Sequence, residues 1–451
     1  MKNKKIELLS SAPIPKALLA MGIPTMLGML VNALYNLVDA YFVSGLGESQ
    51  MGAISVVFPI GQIIVGLGLL FGNGAASYIS RLLGNGNKEK ANKVVSTAMY
   101  SSVFVGAIVI IISLIFLKPI LKLLGATESI LPYAVTYSSI YIVSCIFNVF
   151  NVAMNNIVTS EGAAKTTMCA LMSGAVLNII LDPLFINVLD LGVAGVAFAT
   201  AISQIISTII YLSYIFRKKS VFQFKIKDCC FSKEILSEIF KIGVPTLVFQ
   251  ILTSVSITFI NNAAFDYGDS AIAGMGVVTR LVSMGSLTVF GFIKGFQPIA
   301  GFSYGAKNMA RLNNAIKVSI IWSTVFCTIY GLVLSIFSTP IASQFSENAE
   351  MITVASNSLR INGITFILFG FYTVYSSLFL ALGKGKEGFI LGACRQGICF
   401  IPVILIAPMI CGLNGILYAQ PIADVLSVII TILMAIKLHK SLKVEKRLDA
   451  K

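Results

Sequence analysis

Histidine is almost missing from this chain: His439 is the only imidazole in 451 residues. It lies in the basic C-terminal stretch, so the hydrolase-like run Gly301-Phe-Ser303-Tyr-Gly305 has no Ser–His partnership to draw on. No Gly-x4-Gly-Lys-Ser/Thr phosphate loop occurs, and no Cys/His spacing suits zinc. The chain therefore reads as no enzyme, with no cofactor, and any work it does is not driven by ATP bound to it. Charge is scarce as well. Charged residues make up 12% of the chain, against about 25% in soluble domains.

What fills the space is apolar. Hydrophobic residues reach 57% and mean hydropathy is +0.89, which places the chain among polytopic membrane proteins. Met1–Ser10 is polar and basic and lacks a signal-peptide core, so no processing is expected. Cys145, Cys169, Cys327, Cys394, Cys399 and Cys411 sit in apolar runs as small hydrophobes. The adjacent Cys229 and Cys230 lie in a basic loop and read as free thiols.

Twelve spans are expected, roughly 16–43, 51–80, 94–117, 131–159, 167–189, 193–216, 240–265, 271–303, 315–338, 352–381, 388–411 and 413–436. Alternate loops sort by charge. Lys2, Lys4, Lys5, Arg81, Lys88, Lys165, the segment Arg217–Lys241, Lys307, Arg311, Lys384 and the tail fall on one side. Glu48, Glu128, Asp190, Asp266, Asp269, Glu347 and Glu350 fall on the other, with only Lys118 and Lys122 opposing. The positive-inside rule then puts both termini in the cytoplasm. It also explains the net charge of +14 as a membrane anchor, with no nucleic-acid partner.

The chain is one unit written twice, at positions 221 apart. Met21-Gly-Ile-Pro-Thr25 returns as Ile242-Gly-Val-Pro-Thr246, Gly84 as Gly305, and Phe116 and Pro119 as Phe337 and Pro340. Gly162 and Lys165 return as Gly383 and Lys386, with a slip of one before Gly192 and Gly412. Six spans per unit return the chain to its starting side, so the halves run parallel about an axis along the membrane normal. The expected fold is all-α, two pseudo-symmetric six-helix lobes around a central cavity. The expected divisions are 1–216 and 240–437 for the lobes, 217–239 for a cytoplasmic linker and 438–451 for a cytoplasmic tail.

The chemistry sits where the repeat breaks. Asp39 aligns with Ile260 and Asp182 with Val403, whereas Arg280, Lys294, Arg360 and Arg395 face Pro59, Asn73, Ser139 and Gly174. Asp424 stands opposite Gln204. The first lobe thus receives buried acids and the second most of the buried bases, with Arg395 expected to neutralise Asp424. Asn32, Tyr35, Asn36 and Asp39 share one helical face. Asn178 with Asp182, a stripe of Asn148, Asn151, Asn155 and Thr159, and another of Thr200, Ser203, Gln204 and Ser207 add to it. Four polar stripes in one lobe point to a hydrated pocket. Gln250, Thr253 and Asn261 on span 7 and Gln420 on span 12 line the other lobe. Two carboxylates in such a pocket can share a proton, and with Asn and Thr oxygens they can equally hold Na⁺. The residues leave both open.

Ile23-Pro-Thr25, Tyr35-Asn-Leu-Val-Asp39, Ser80-Arg-Leu-Leu-Gly84, Glu161-Gly162, Leu177–Pro183, Gly295–Gly305 and Arg395-Gln-Gly397 together resemble the multidrug and toxic compound extrusion (MATE) transporters. The resemblance covers nearly the whole chain and is similar to the bacterial branch that holds the staphylococcal-type pumps. It implies export of small organic cations against inward H⁺ or Na⁺, from a monomer in the bacterial cell membrane. It also implies that Asp39 and Asp182 are the coupling pair, with Tyr35, Asn155, Asn178 and Thr200 around them, and that Pro24 is the point where helix 1 can bend. This chain departs from the pattern in having Lys294 where relatives often have Gln, and no acid near Thr253. Two other readings remain: a lipid-linked oligosaccharide flippase of the same superfamily, whose cavity would be lined with bases, and a membrane receptor or enzyme.

Overall fold

The structure, a computed structural model, describes residues 2–265 and 267–448. No side chain is described at Lys2, Asn3, Asn36, Leu37, Ala40, Ser44, Glu48, Asn261, Asp269 or residues 445–448. The Asn36 and Asn261 expectations therefore fall outside the described residues.

Long apolar runs without strand-like alternation make helices, and among the described residues no strand occurs. A short α1 (Lys2–Ser10) precedes α2 (Ile14–Ser44), α3 (Glu48–Gly84), α4 (Lys88–Ile115), the short α5 (Leu117–Leu123), α6 (Leu131–Ser160), α7 (Ala164–Pro183) and α8 (Gly192–Phe216). The second set is α9 (Lys233–Phe265), α10 (Asp269–Gly305), α11 (Met309–Ile336), the short α12 (Ser338–Ser343), α13 (Ala349–Ala381), α14 (Gly385–Ala393), α15 (Phe400–Cys411) and α16 (Leu413–Leu448). A π turn, Cys394–Ile398, joins α14 to α15 as one bent span, and another, Leu184–Val188, ends α7. Twelve helical segments are long and apolar enough to cross a membrane, matching the twelve expected spans. Two boundaries differ from expectation. α9 starts within the linker, and α16 runs on through the basic tail, because neither stretch holds a Pro or Gly to stop a helix.

The repeat is visible in the helices. α3 and α10 are each 37 residues long, and α4 and α11 each 28. Equivalent side chains cap equivalent helices: Asn87 Oδ1 accepts from the Lys90 amide at 3.1 Å, and Asn308 Oδ1 from the Arg311 amide at 2.9 Å. Gly84 and Gly305 cross each other near the pseudo-axis. A Cβ on Gly84 would lie 2.2 Å from the Phe302 carbonyl oxygen, and one on Gly305 2.1 Å from that of Arg81. Only glycine allows the two helices to approach this closely.

Packing decides where the cavity is. Towards the face that carries the termini, one core joins both halves, running from Leu9, Met21, Ile79 and Ile157 to Ile239, Phe296 and Phe379. Towards the opposite face that core splits. Val57, Ile64 and Ile142 belong to a cluster of the first lobe, Phe400 and Ile404 to one of the second. Ion pairs close the shared end: Arg81 Nη2 lies 2.7 Å from Glu238 Oε2, and Lys90 meets Glu234. α1 also ties the halves. Lys5 sits 3.6 Å from Glu161, while Arg311 donates to the Leu9 and Ala12 carbonyls at 3.0 and 2.7 Å. A cation there satisfies carbonyls that the end of α1 leaves free.

Candidate functional site

Where the core splits, a cavity of about 870 Å³ lies between the lobes, within the usual size of small-molecule sites. Its walls reach Phe58, Tyr137 and Tyr141 on one lobe and Ile260, Met275 and Ile416 on the other. These residues lie at the ends of their helices away from the termini, so the cavity runs towards that face. Asn32, Tyr35, Asp39, Asn151, Asn155, Asn178, Thr200, Gln250 and Gln420 all line it, as their stripes implied.

The two acids meet at its wall. Asp182 is wholly buried on α7, just behind the lining, with its carboxyl group a neighbour of Asp39 on α2. Asn178 Nδ2 donates to Asp182 Oδ1 at 3.4 Å, and the Tyr35 ring lies close to both acids. Asp39 Oδ1, Asp182 Oδ2 and Asn178 Oδ1 are each buried without a hydrogen-bond donor. Three unpaired oxygen acceptors in one spot are costly unless a proton or cation joins them. Hard oxygen donors of this kind suit Na⁺ or H⁺ equally, and no group of three or more His, Cys, Asp or Glu occurs among the described residues.

The second lobe differs. The π turn presents Arg395 to the cavity and to Asp424 at once. Its Nε is 2.9 Å from Asp424 Oδ1 without hydrogen-bond alignment, and its Nη2 donates to Oδ2 at 3.4 Å. Gln420 Nε2 donates to Oδ1 at 2.7 Å, and Phe369 lies under the guanidinium, 4.6 Å away. The expected neutral pair is present.

Two expectations need correction. Arg280 and Arg360 are exposed rather than buried. Each is the twelfth residue of its helix, where a long stem can carry the guanidinium outward; Arg360 Nε donates to Ser338 Oγ at 3.0 Å. Asn155 is not beside the acids. It is near the opposite end of α6, where its Oδ1 accepts from Lys294 Nζ at 2.5 Å and its Nδ2 donates to the Tyr211 hydroxyl at 3.3 Å. Pro24 lies inside a continuous α2, next to Thr25, whose Oγ1 donates across to the Gly291 carbonyl at 2.6 Å.

Reading single stripes missed the contacts across the lobes. Gln250 Nε2 donates to Gln62 Oε1 at 2.5 Å. Gln297 donates to Asn73 at 3.1 Å, and Asn73 to Thr246 at 3.0 Å. The signal was available, since Asn73 is the repeat partner of Lys294.

Two lobes that share a core at one end and part around a polar cavity, with twelve apolar helices outside, define a membrane transporter and not an enzyme. The MatE family model matches residues 24–184 and 245–406, once in each repeat. Multidrug export protein MepA of Staphylococcus saprophyticus is 31% identical over 447 residues, covering 99% of both chains. MepA of Staphylococcus aureus is 31% identical over 446 residues, 99% of this chain and 98% of its own. The outward-facing conformation of a multidrug resistance MATE family transporter superposes with a TM-score of 0.93 at 28% identity, over 98% of this chain and 99% of that one. A Pyrococcus furiosus transporter described as having a binding pocket of reverse polarity gives 0.92 at 28% identity, over the same shares. This chain belongs to the MatE family.

Proposed function

We propose that this transporter is a multidrug efflux antiporter that exports organic cations in exchange for inward H⁺ or Na⁺ at Asp39 and Asp182. The observation that carries the reading is the cluster of three buried, donor-less oxygens on Asp39, Asp182 and Asn178. A proton or Na⁺ entering there cancels the negative charge that attracts a cation, so ion and substrate oppose each other. Each can shift the equilibrium between states only through its differential affinity for them. Pro24 removes one hydrogen bond from α2 and so offers a point for it to bend. Both termini would face the cytoplasm, placing the closed end inside and the cavity outside. A monomer with lobes 1–216 and 240–437 suffices.

The flippase reading would call for a continuous lining of bases. Among the described residues the bases on the lining are Lys294 and Arg395, Arg395 is paired, and the rest mixes Asn, Gln, Ser and Thr side chains with tyrosines and phenylalanines. That favours drug-like cations. The test is ethidium efflux from everted vesicles driven separately by ΔpH and by a Na⁺ gradient, for wild type and Asp39→Asn at matched levels. Asp39→Asn should insert normally and lose coupled export. Full export by that variant would place coupling elsewhere.

A further inference from the structure

Among the described residues, Lys294 is the one charged group lining the cavity that the acid pair and the Arg395–Asp424 pair leave unexplained. Its ammonium has a single hydrogen-bond partner, the neutral Asn155 Oδ1 at 2.5 Å, and no carboxylate among the described residues. Asn155 is itself held by the Tyr211 hydroxyl, so the ammonium is fixed in place. Arg395, the other base on the lining, is matched by Asp424. An ammonium with two donors left over on a cavity wall recognises an anion.

Its level narrows the anion's place. Gly295 packs against the backbone of Gly22, so Lys294 stands at the level of Ile23 on α2. Asp39 is about 24 Å further along that helix, at roughly 1.5 Å per residue. A molecule whose anion sits on Lys294 therefore points its cationic part up the cavity, towards the acids. Lys294 therefore acts on a molecule lodged at the closed floor, and the acid pair acts nearer the open end.

We infer that Lys294 is a binding site for the carboxylate of zwitterionic substrates, so that the cavity takes amphoteric drugs in preference to purely cationic ones. This rests on the export reading and narrows its substrate class. Gln62, Gln250 and Gln297 can serve the neutral polar parts of such a molecule, and the phenylalanines and tyrosines its rings.

The test uses the purified full-length protein and two fluorescent probes, a rhodamine with a free benzoate and its methyl ester. They share the cationic ring system and differ only in the anion. Fluorescence polarisation gives the ratio of their affinities, with vesicle efflux of each dye in parallel. Wild type should prefer the acid by about tenfold or more, the worth of one charge-assisted hydrogen bond. Lys294→Gln should bring that ratio close to one, and Lys294→Arg, which keeps the charge, should retain the preference. A wild-type ratio of one, or a ratio unchanged in Lys294→Gln, overturns the inference. The wild-type ratio decides alone if the Gln variant fails to fold. Ester exported without preference for the acid removes this inference and leaves the export reading standing. Binding of neither dye by folded wild type removes both.

Discussion

Replacing Arg395 with Met tests whether the second-lobe ion pair is the structural unit its geometry suggests. Arg395 and Asp424 are each only 6% exposed, so both charges are largely shielded from water. At about 3 Å and an effective dielectric of 20, their attraction is roughly 5 kcal/mol, which largely offsets the loss of hydration on both sides. The intact pair is therefore worth little net, but half of it is expensive. Arg395→Met leaves Asp424 with only the Gln420 donor and should destabilise the protein by about 3–5 kcal/mol. Asp424→Leu should cost a similar amount by stranding the guanidinium, whose remaining neighbour is the Phe369 ring. The double variant removes both charges and should recover most of the loss. The assay is a double-mutant cycle on thermal unfolding in detergent, read by loss of the monodisperse peak after heating. A double variant as unstable as the two single losses added together would refute the reasoning, since additive losses mean that the two groups do not interact.

Packing at the lobe crossing gives a sharp contrast. Gly305→Ala puts a Cβ 2.1 Å from the Arg81 carbonyl oxygen and should cost about 1–3 kcal/mol or more, because backbone there must move. Gly276→Ala, in the same helix with nothing within 4 Å, should be neutral or stabilise by about 0.5–1 kcal/mol. Equal melting temperatures for the two variants would contradict the close crossing. Glu161, just beyond the end of α6, is held above the usual carboxylate range by its burial, against the opposing pull of Lys5, Tyr214, Ser220 and the Val221 amide. An acid raised in the folded state binds its proton more tightly there than in the unfolded chain. Its contribution is thus present at low pH and lost as pH rises. Glu161→Gln should flatten that part of the stability–pH curve above about pH 4.5; an unchanged curve would mean that the residue does not titrate with folding.

The sequence by itself determined the class, the twelve spans, the parallel repeat and the asymmetry of charge between its halves. These are legible because a bilayer demands long apolar helices, and because a repeat holds its register in the chain. Helical spacing also put Asp39, Tyr35 and Asn32 on one face, and Asn178 with Asp182 on another, since both pairings are local. What spacing cannot supply is the depth at which one helix meets another. Asn155 falls on a polar stripe with Asn148 and Asn151, and only the packing of α6 against α10 hands it to Lys294 instead of the acids. Arg280 and Arg360 look buried in a hydropathy reading, but packing leaves both on the outside of their helices, where their long stems extend. The split of one shared core into separate lobe cores, which opens the cavity at a single end, is likewise a tertiary result. It depends on glycines 221 positions apart in the chain that meet face to face only in the fold.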